Sequence, residues 1–289
     1  DNRRGEYPFS YASLYHRQLL LSSRRFCTTV GTMEQTPTLS PQPDHAPDPV
    51  IEELFLHGLH FGYSKTRRHP RMRPFLAGLK NNVEIFNLEK VLIKLNTAKT
   101  AMEQLGQKKS VVLWVGTKPQ AGPAIQAAAA ALGHPFVAKR WLGGTLTNFT
   151  VIRKRVQQWL TLERERVEGK LEKYTKQERV KIHKQIERFE IAFRGLELLS
   201  RPPEALIIID PKEETTALRE ATQLGILTIA LLNSDSDPLS VTHAIPGNDN
   251  APKSIHYIIE TLRDAYEKGA HAIPASIITN ELPTHQTTS

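Results

Sequence analysis

Five cations fall within nine residues: Lys65, Arg67, Arg68, Arg71 and Arg73, with His69 among them and prolines at 70 and 74. Ammonium and guanidinium groups at that density carry out no covalent chemistry. They neutralise phosphates, and a proline-punctuated extended arm lets them track a polyanion's charge spacing. A second string, Lys139-Arg140-Trp141-Leu142-Gly143-Gly144, joins two cations to an aromatic ring and paired glycines, and runs on to Asn148. Paired glycines permit a tight turn and close backbone approach. Lys139 and Arg140 suit phosphates. Trp141 has two readings, a cover for a base or sugar or a buried wedge between a sheet and a helical insertion. Arg153, Lys154 and Arg155 continue the positive charge one turn into a helical segment.

Gly116-Thr117-Lys118-Pro119-Gln120-Ala121-Gly122 follows a strand and opens a helix, a position that suits an anion. It lacks the terminal Gly-Lys-Ser/Thr of a Walker loop and the one-three-six glycines of a dinucleotide fingerprint. An RNA phosphate held by Lys118 is the expected use. His57 and His60 lack a third ligand at convincing spacing, so no metal is expected. Asn233 to Pro238 has the aspartates of a calcium loop without its glycine and final glutamate, and reads as a loop at a strand end. No Ser/His/Asp constellation stands out, and no cofactor is expected.

Charge is divided by region. Residues 104–162 carry eight Lys or Arg and no carboxylate, residues 54–83 carry six and none, and from Pro202 onward twelve acids face five bases. Long one-sign segments build a field that recruits polyanions, so nucleic acid is the expected partner. The acidic last third is expected to face the opposite side of the molecule.

The elements that must position these groups alternate. Apolar strands at 110–115, 135–138, 205–209, 226–232 and 241–245 are separated by helices at 88–105, 119–132, 213–224 and 251–268. Strands apolar throughout indicate a parallel sheet covered on both faces. A further strand is expected at 83–86 and a short helix at 51–57, and Asn87 is placed to cap the helix after it. One stretch breaks the rhythm. Phe149, Ile152, Val156 and Trp159, then Ile182, Ile186, Phe189, Phe193 and Leu196, form two narrow seams of coiled-coil type. Gly169 fits a helix end, and Thr175 with Glu178 has capping-box spacing. An antiparallel helical hairpin is expected.

The expected organisation is a transit peptide (1–32), a proline-rich linker (33–50), an α/β domain (51–145 and 200–268), the hairpin insertion (146–199) and a tail (269–289). Residues 10–32 are rich in Ser, Thr, Leu and Arg and hold no acid, the composition of an organelle transit peptide. The chain opens on Asp1, so its native start is expected to lie upstream. Cys27 is the only cysteine, which excludes an intrachain disulfide and a cysteine-based zinc site. The longest apolar runs, 127–132 and 226–232, are far too short for a membrane span, so no membrane association is expected.

His60-Phe61-Gly62, Pro70-Arg71-Met72-Arg73-Pro74-Phe75, Ile85-Phe86-Asn87-Leu88-Glu89-Lys90, Val115-Gly116-Thr117-Lys118, the string from Arg140 to Asn148, and Ile245-Pro246-Gly247-Asn248-Asp249 occur in order with plausible spacing. Together they resemble bacterial-type small-subunit ribosomal protein two. The resemblance runs from about Ile51 to Lys268. It implies a flavodoxin-like α/β domain with a protruding helical hairpin, a place on the small ribosomal subunit against ribosomal RNA and neighbouring proteins, and no catalysis or small-molecule substrate. With the leader, it implies the ribosome of a mitochondrion rather than a plastid. Gly62 and Tyr63 stand where many members have His, a departure that counts against a His-dependent metal contact. The rival from another class is an enzyme binding a nucleotide or sugar phosphate at the strand ends around Gly116 and Asp210.

Overall fold

The computed structural model describes residues 48–272 of the 289-residue chain. The expected transit peptide, most of the linker and most of the tail therefore lie outside the described residues. The described residues fall into two units that part between Glu52 and Glu53. Of the first, only the start of helix α1 (Pro49–Leu56) is described. The second holds everything below.

A five-stranded sheet forms its centre, built from β4 (Val112–Val115), β5 (Phe136–Val137), β6 (Ala205–Ile209), β7 (Leu227–Leu232) and β8 (His243–Pro246). All neighbours are parallel, in the order β5-β4-β6-β7-β8. Numbered along the chain, that order is 2-1-3-4-5, the flavodoxin-like arrangement, with its switch point between β4 and β6. β4 and β6 are buried at every position, as continuous apolar runs require when both faces are covered.

Leu113, Val115, Leu206, Ile208, Ala230 and Leu232 face one core, shared with Ala217 and Ala221 of α6 (Thr215–Gln223). Helices α2 (Leu88–Gln107), α3 (Gly122–Leu132) and α7 (Pro252–His271) pack together. Helices α2 and α7 touch backbone to backbone. A Cβ on Gly106 would lie 2.1 Å from the Tyr266 oxygen, and one on Gly269 would lie 2.0 Å from the Glu103 oxygen. Asn87 caps α2 as expected, accepting from the Lys90 N–H at 3.2 Å. The apolar side of α2 is Leu88, Val91, Leu95, Ala98 and Met102.

Between β5 and β6 rises a hairpin of α4 (Phe149–Val167) and α5 (Lys176–Phe193). Ile152, Val156, Trp159, Ile186 and Phe193 are buried in its seam, continuous with the sheet's core. Gly169 adopts a left-handed φ of 71° after α4, and Thr175 and Glu178 form a reciprocal capping box at the start of α5.

The sequence reading misses a second sheet. Strands β1 (Phe61–Ser64), β2 (Leu76–Lys80) and β3 (Val83–Phe86) form an antiparallel sheet in the order β1-β3-β2. Lys80 pairs with Val83, so β2 and β3 are joined by a two-residue loop, and Asn81 and Asn82 both take positive φ (50° and 63°). That is primed-turn chemistry, for which Asn is suited. Between β1 and β2 the chain is not extended. It forms two 3-10 turns, Lys65–Arg67 and Pro70–Phe75, the second with Pro74 inside it.

Candidate nucleic-acid interface

The arm from Lys65 to Arg73 is sewn onto the sheet's C-terminal edge. Met72 is fully buried and anchors the second turn. The His69 N–H donates to the Ser234 carbonyl at 2.7 Å, and the Tyr63 N–H donates to Ser234 Oγ at 2.9 Å. Ser234 lies just past β7, so the loop after a buried strand fixes the arm's position.

The arm's cations have different fates. Arg68 donates to Glu84, a buried carboxylate, at 3.2 Å. Arg71 pairs with Asp237 at 2.6 Å. Lys65, Arg67 and Arg73 are exposed and form no ion pair among the described residues, and the Arg67 guanidinium lies 5.5 Å from the centre of the Tyr63 ring. The expectation of an arm free of counter-ions is thus corrected for Arg68 and Arg71. Their carboxylates come from residues distant in sequence or just past the carboxylate-free stretch. Likewise the acidic last third does not face away. Besides Asp237 for Arg71, it supplies Asp210 and Asp249 to Lys118.

The second string wraps around one side chain that the sequence reading overlooks. Glu220 of α6 accepts from Trp141 Nε1 at 3.0 Å, the Gly144 N–H at 2.8 Å, the Leu146 N–H at 3.0 Å, the Thr147 N–H at 3.1 Å and Thr147 Oγ1 at 3.2 Å. Burial pushes the Glu220 carboxyl's pKa up, but the donors from Trp141, Thr147, Gly144 and Leu146 outweigh it and hold the pKa below the usual value. The loop is therefore organised around a charge in its middle. Trp141 is 8% exposed with its N–H spent on Glu220, so the wedge reading holds and the ring is not a platform for a base. Lys139 and Arg140 are exposed, as are Lys154 and Arg155, none of them ion-paired among the described residues. Arg153 is half-buried and donates to the Leu199 carbonyl, tying α4 to the chain that returns to the sheet. One sequence signal marks Glu220: it is the carboxylate on the small apolar side of α6, next to Ala217 and Ala221.

Lys118 sits at the switch point. Its ammonium is 2.6 Å from Asp210 and 2.8 Å from Asp249, and the side chain is only 13% exposed. It also donates to Asn250 Oδ1 at 3.2 Å. Burial works against its charge, yet hydrogen bonds and attraction from Asp210 and Asp249 prevail and hold its pKa above the usual lysine value. Asn233 donates to Asp249 at 2.7 Å, and Glu214 accepts from the Thr117 N–H at 2.8 Å. This corrects the expected phosphate contact of Lys118: its charge is already neutralised inside the fold. Where flavodoxin-like sheets take anionic ligands, this fold holds the buried carboxylates Asp210 and Asp249 on Lys118 and the buried Glu214 on the Thr117 N–H. Among the described residues no group of three or more His, Cys, Asp or Glu side chains is disposed to hold a metal ion, and no helix is long and apolar enough to cross a membrane.

Comparison with known proteins agrees with this layout. The family model described as Ribosomal protein S2 matches residues 54–269. The small ribosomal subunit protein uS2 of Rhodopirellula baltica is 38% identical over 220 residues, covering 76% of this chain and 85% of that protein. Chlorobium luteolum uS2 is 37% identical over 214 residues, covering 74% and 85%. Mesoplasma florum uS2 is 38% identical over 220 residues, covering 76% and 83%.

Proposed function

The chain belongs to the ribosomal protein S2 family, and from that premise we propose that it is a structural, non-enzymatic component of an organellar small ribosomal subunit, held there by ribosomal RNA and protein neighbours. The observation that carries the RNA reading is the set of exposed cations, without ion pairs among the described residues, on two separately braced segments. Lys65, Arg67 and Arg73 lie on the arm, and Lys139, Arg140, Lys154 and Arg155 lie on the loop and the first turns of α4. Cations on rigid supports meet phosphates without first breaking an internal ion pair, and each phosphate neutralised releases counter-ions. Arg68 is held on the buried Glu84, and the exposed Arg71 is paired with Asp237. The alternative, a nucleotide- or sugar-phosphate-binding enzyme, is disfavoured by the carboxylates Asp210, Glu214 and Asp249 gathered at the switch point.

The organellar part of the proposal rests on residues 10–32, whose acid-free, Ser/Thr/Leu/Arg composition suits a mitochondrial leader on a bacterial-like ribosomal protein. Fractionation of whole cells into organelles, with each fraction then run on a salt-containing gradient, tests both parts. The chain is expected to sediment with the small subunit. Recovery from another compartment sinks the organellar part, and recovery in soluble fractions sinks the ribosomal part. Replacing Arg67, Arg73, Lys139 and Arg140 with Gln is expected to reduce incorporation into subunits, and full incorporation would refute the RNA reading.

A further inference from the structure

The paired glycines of the loop have different reasons to be glycine. Gly144 has a φ of 88° and donates its N–H to Glu220, and a Cβ there would press on the Asn148 Cβ at 3.2 Å. The loop itself requires it. Gly143 is exposed, lies outside the left-handed region, and a Cβ built on it meets nothing within 4 Å. Its N–H and C=O enter no hydrogen bond among the described residues. Among the described glycines only Gly78 shares the combination of ordinary φ and open space, and Gly78 borders the register shift of β2, where a bulge accounts for it.

Among the described residues nothing therefore uses the missing side chain of Gly143, although Glu220 holds the segment on either side of it rigidly through five hydrogen bonds. A rigid loop that bares its main chain between cations is a surface built for something to come close. We propose that Gly143 is where the sugar–phosphate backbone of an RNA helix seats directly against the protein main chain, with Arg140 and Lys139 holding the flanking phosphates. This deepens the RNA-binding reading above and rests on it. The occupant follows from charge and chemistry. The exposed side chains flanking the loop include Lys139, Arg140, Lys154 and Arg155, which match a polyanion. A free N–H and C=O together match a 2′-hydroxyl, which both donates and accepts in the shallow minor groove of an A-form helix.

The test uses the full chain and a transcript of the small-subunit ribosomal RNA from the same source. Gly143→Val and Gly143→Ala are compared with wild type and with a Lys139→Gln/Arg140→Gln variant, by RNA affinity across a salt series and by thermal unfolding. Gly143→Val is expected to unfold at the wild-type temperature, bind RNA about tenfold more weakly, and keep a near wild-type salt slope, because no cation is lost. Gly143→Ala is expected to fall between. The double glutamine variant is expected to lose affinity and flatten the slope together. If Gly143→Val binds as wild type while the glutamine variant weakens, the loop meets RNA but not at Gly143, and the inference is wrong while the RNA reading stands. If neither weakens, the RNA reading fails at this loop. If Gly143→Val binds RNA normally but enters subunits poorly, the neighbour at Gly143 is a protein, which also overturns the inference.

Discussion

Trp141 Nε1 donates to Glu220 Oε1 at 3.0 Å across a separation of 79 residues, and this contact joins the loop that carries Lys139 and Arg140 to a helix of the acidic third. Replacing Glu220 with Gln keeps the shape but turns one oxygen into an NH2 that faces donors. Such a change is expected to destabilise the fold by about 2–4 kcal/mol, since several buried N–H groups lose a charged acceptor. Chemical unfolding gives the magnitude. Hydrogen exchange should show the Gly144, Leu146 and Thr147 amides losing protection before the sheet does. Unchanged protection at those amides would contradict the role given to Glu220.

Lys118 allows a sharp separation of stability from binding. Lys118→Met leaves Asp210 and Asp249 buried beside each other without their cation, and removing one partner of a buried ion pair typically costs about 3–5 kcal/mol. Adding Asp249→Asn to that variant is expected to recover part of the loss, although Asn233 then loses its own carboxylate partner. Under conditions where the variant is folded, its RNA salt slope is expected to match wild type. A flatter slope would mean that Lys118 reaches a phosphate after all.

The contrast between Asn87 and Glu220 shows what could be read from the sequence. A cap such as Asn87, a capping box such as Thr175 with Glu178, and a helix end such as Gly169 depend on neighbours within a few residues, and each appears where the sequence places it. The continuous apolar strands also read clearly, because burial on both faces leaves them no polar alternation. Strand β2 does not. Leu76-Ala77-Gly78-Leu79-Lys80 has no β-branched residue, and its pairing is set by the Asn81-Asn82 turn, a signal easily overlooked beside a run of cations. Charge is the least legible, because an ion pair depends on which loops the sheet brings together. Asp210 and Asp249 end up beside Lys118 only because β4 and β6 are neighbours at a switch point and the loop after β8 closes over both. A region without carboxylates in sequence is therefore not a region without carboxylates in space.

Arg71 and Asp237 form an exposed pair at 2.6 Å, and its effect should be on binding rather than stability. Exposed pairs contribute about 0–1 kcal/mol, so Asp237→Asn is expected to shift unfolding only slightly. It should free the Arg71 guanidinium for phosphate, raising RNA affinity a few-fold at low salt and steepening the salt dependence by about one phosphate. Filter binding at several salt concentrations reads both. A weaker-binding variant would show that Asp237 positions Arg71 for RNA instead of competing for it.

The buried histidines set the protein's acid sensitivity. Burial, aided by the charge of Lys80, holds His60 near a pKa of about 4, between the rings of Phe55 and Phe61. Burial also holds His134 near about 4 despite the opposing pull of Glu204. Unfolded histidine titrates near its ordinary value of 6.5. Between those values the unfolded chain takes up protons that the folded chain refuses, so stability is full above that ordinary value and falls as pH drops toward about 4. Each histidine is expected to cost on the order of 1–2 kcal/mol at about pH 5. The Glu220 carboxyl, whose pKa is depressed, adds its loss only at lower pH, below its ordinary 4.5. Thermal midpoints measured from about pH 7.5 to 4.5 should therefore begin to fall well before carboxylates titrate. Phe at position 60 keeps the ring stack and cannot protonate, so His60→Phe should remove one histidine's share of that fall. An unchanged pH profile in His60→Phe would mean that His60 takes its proton without unfolding the region around it.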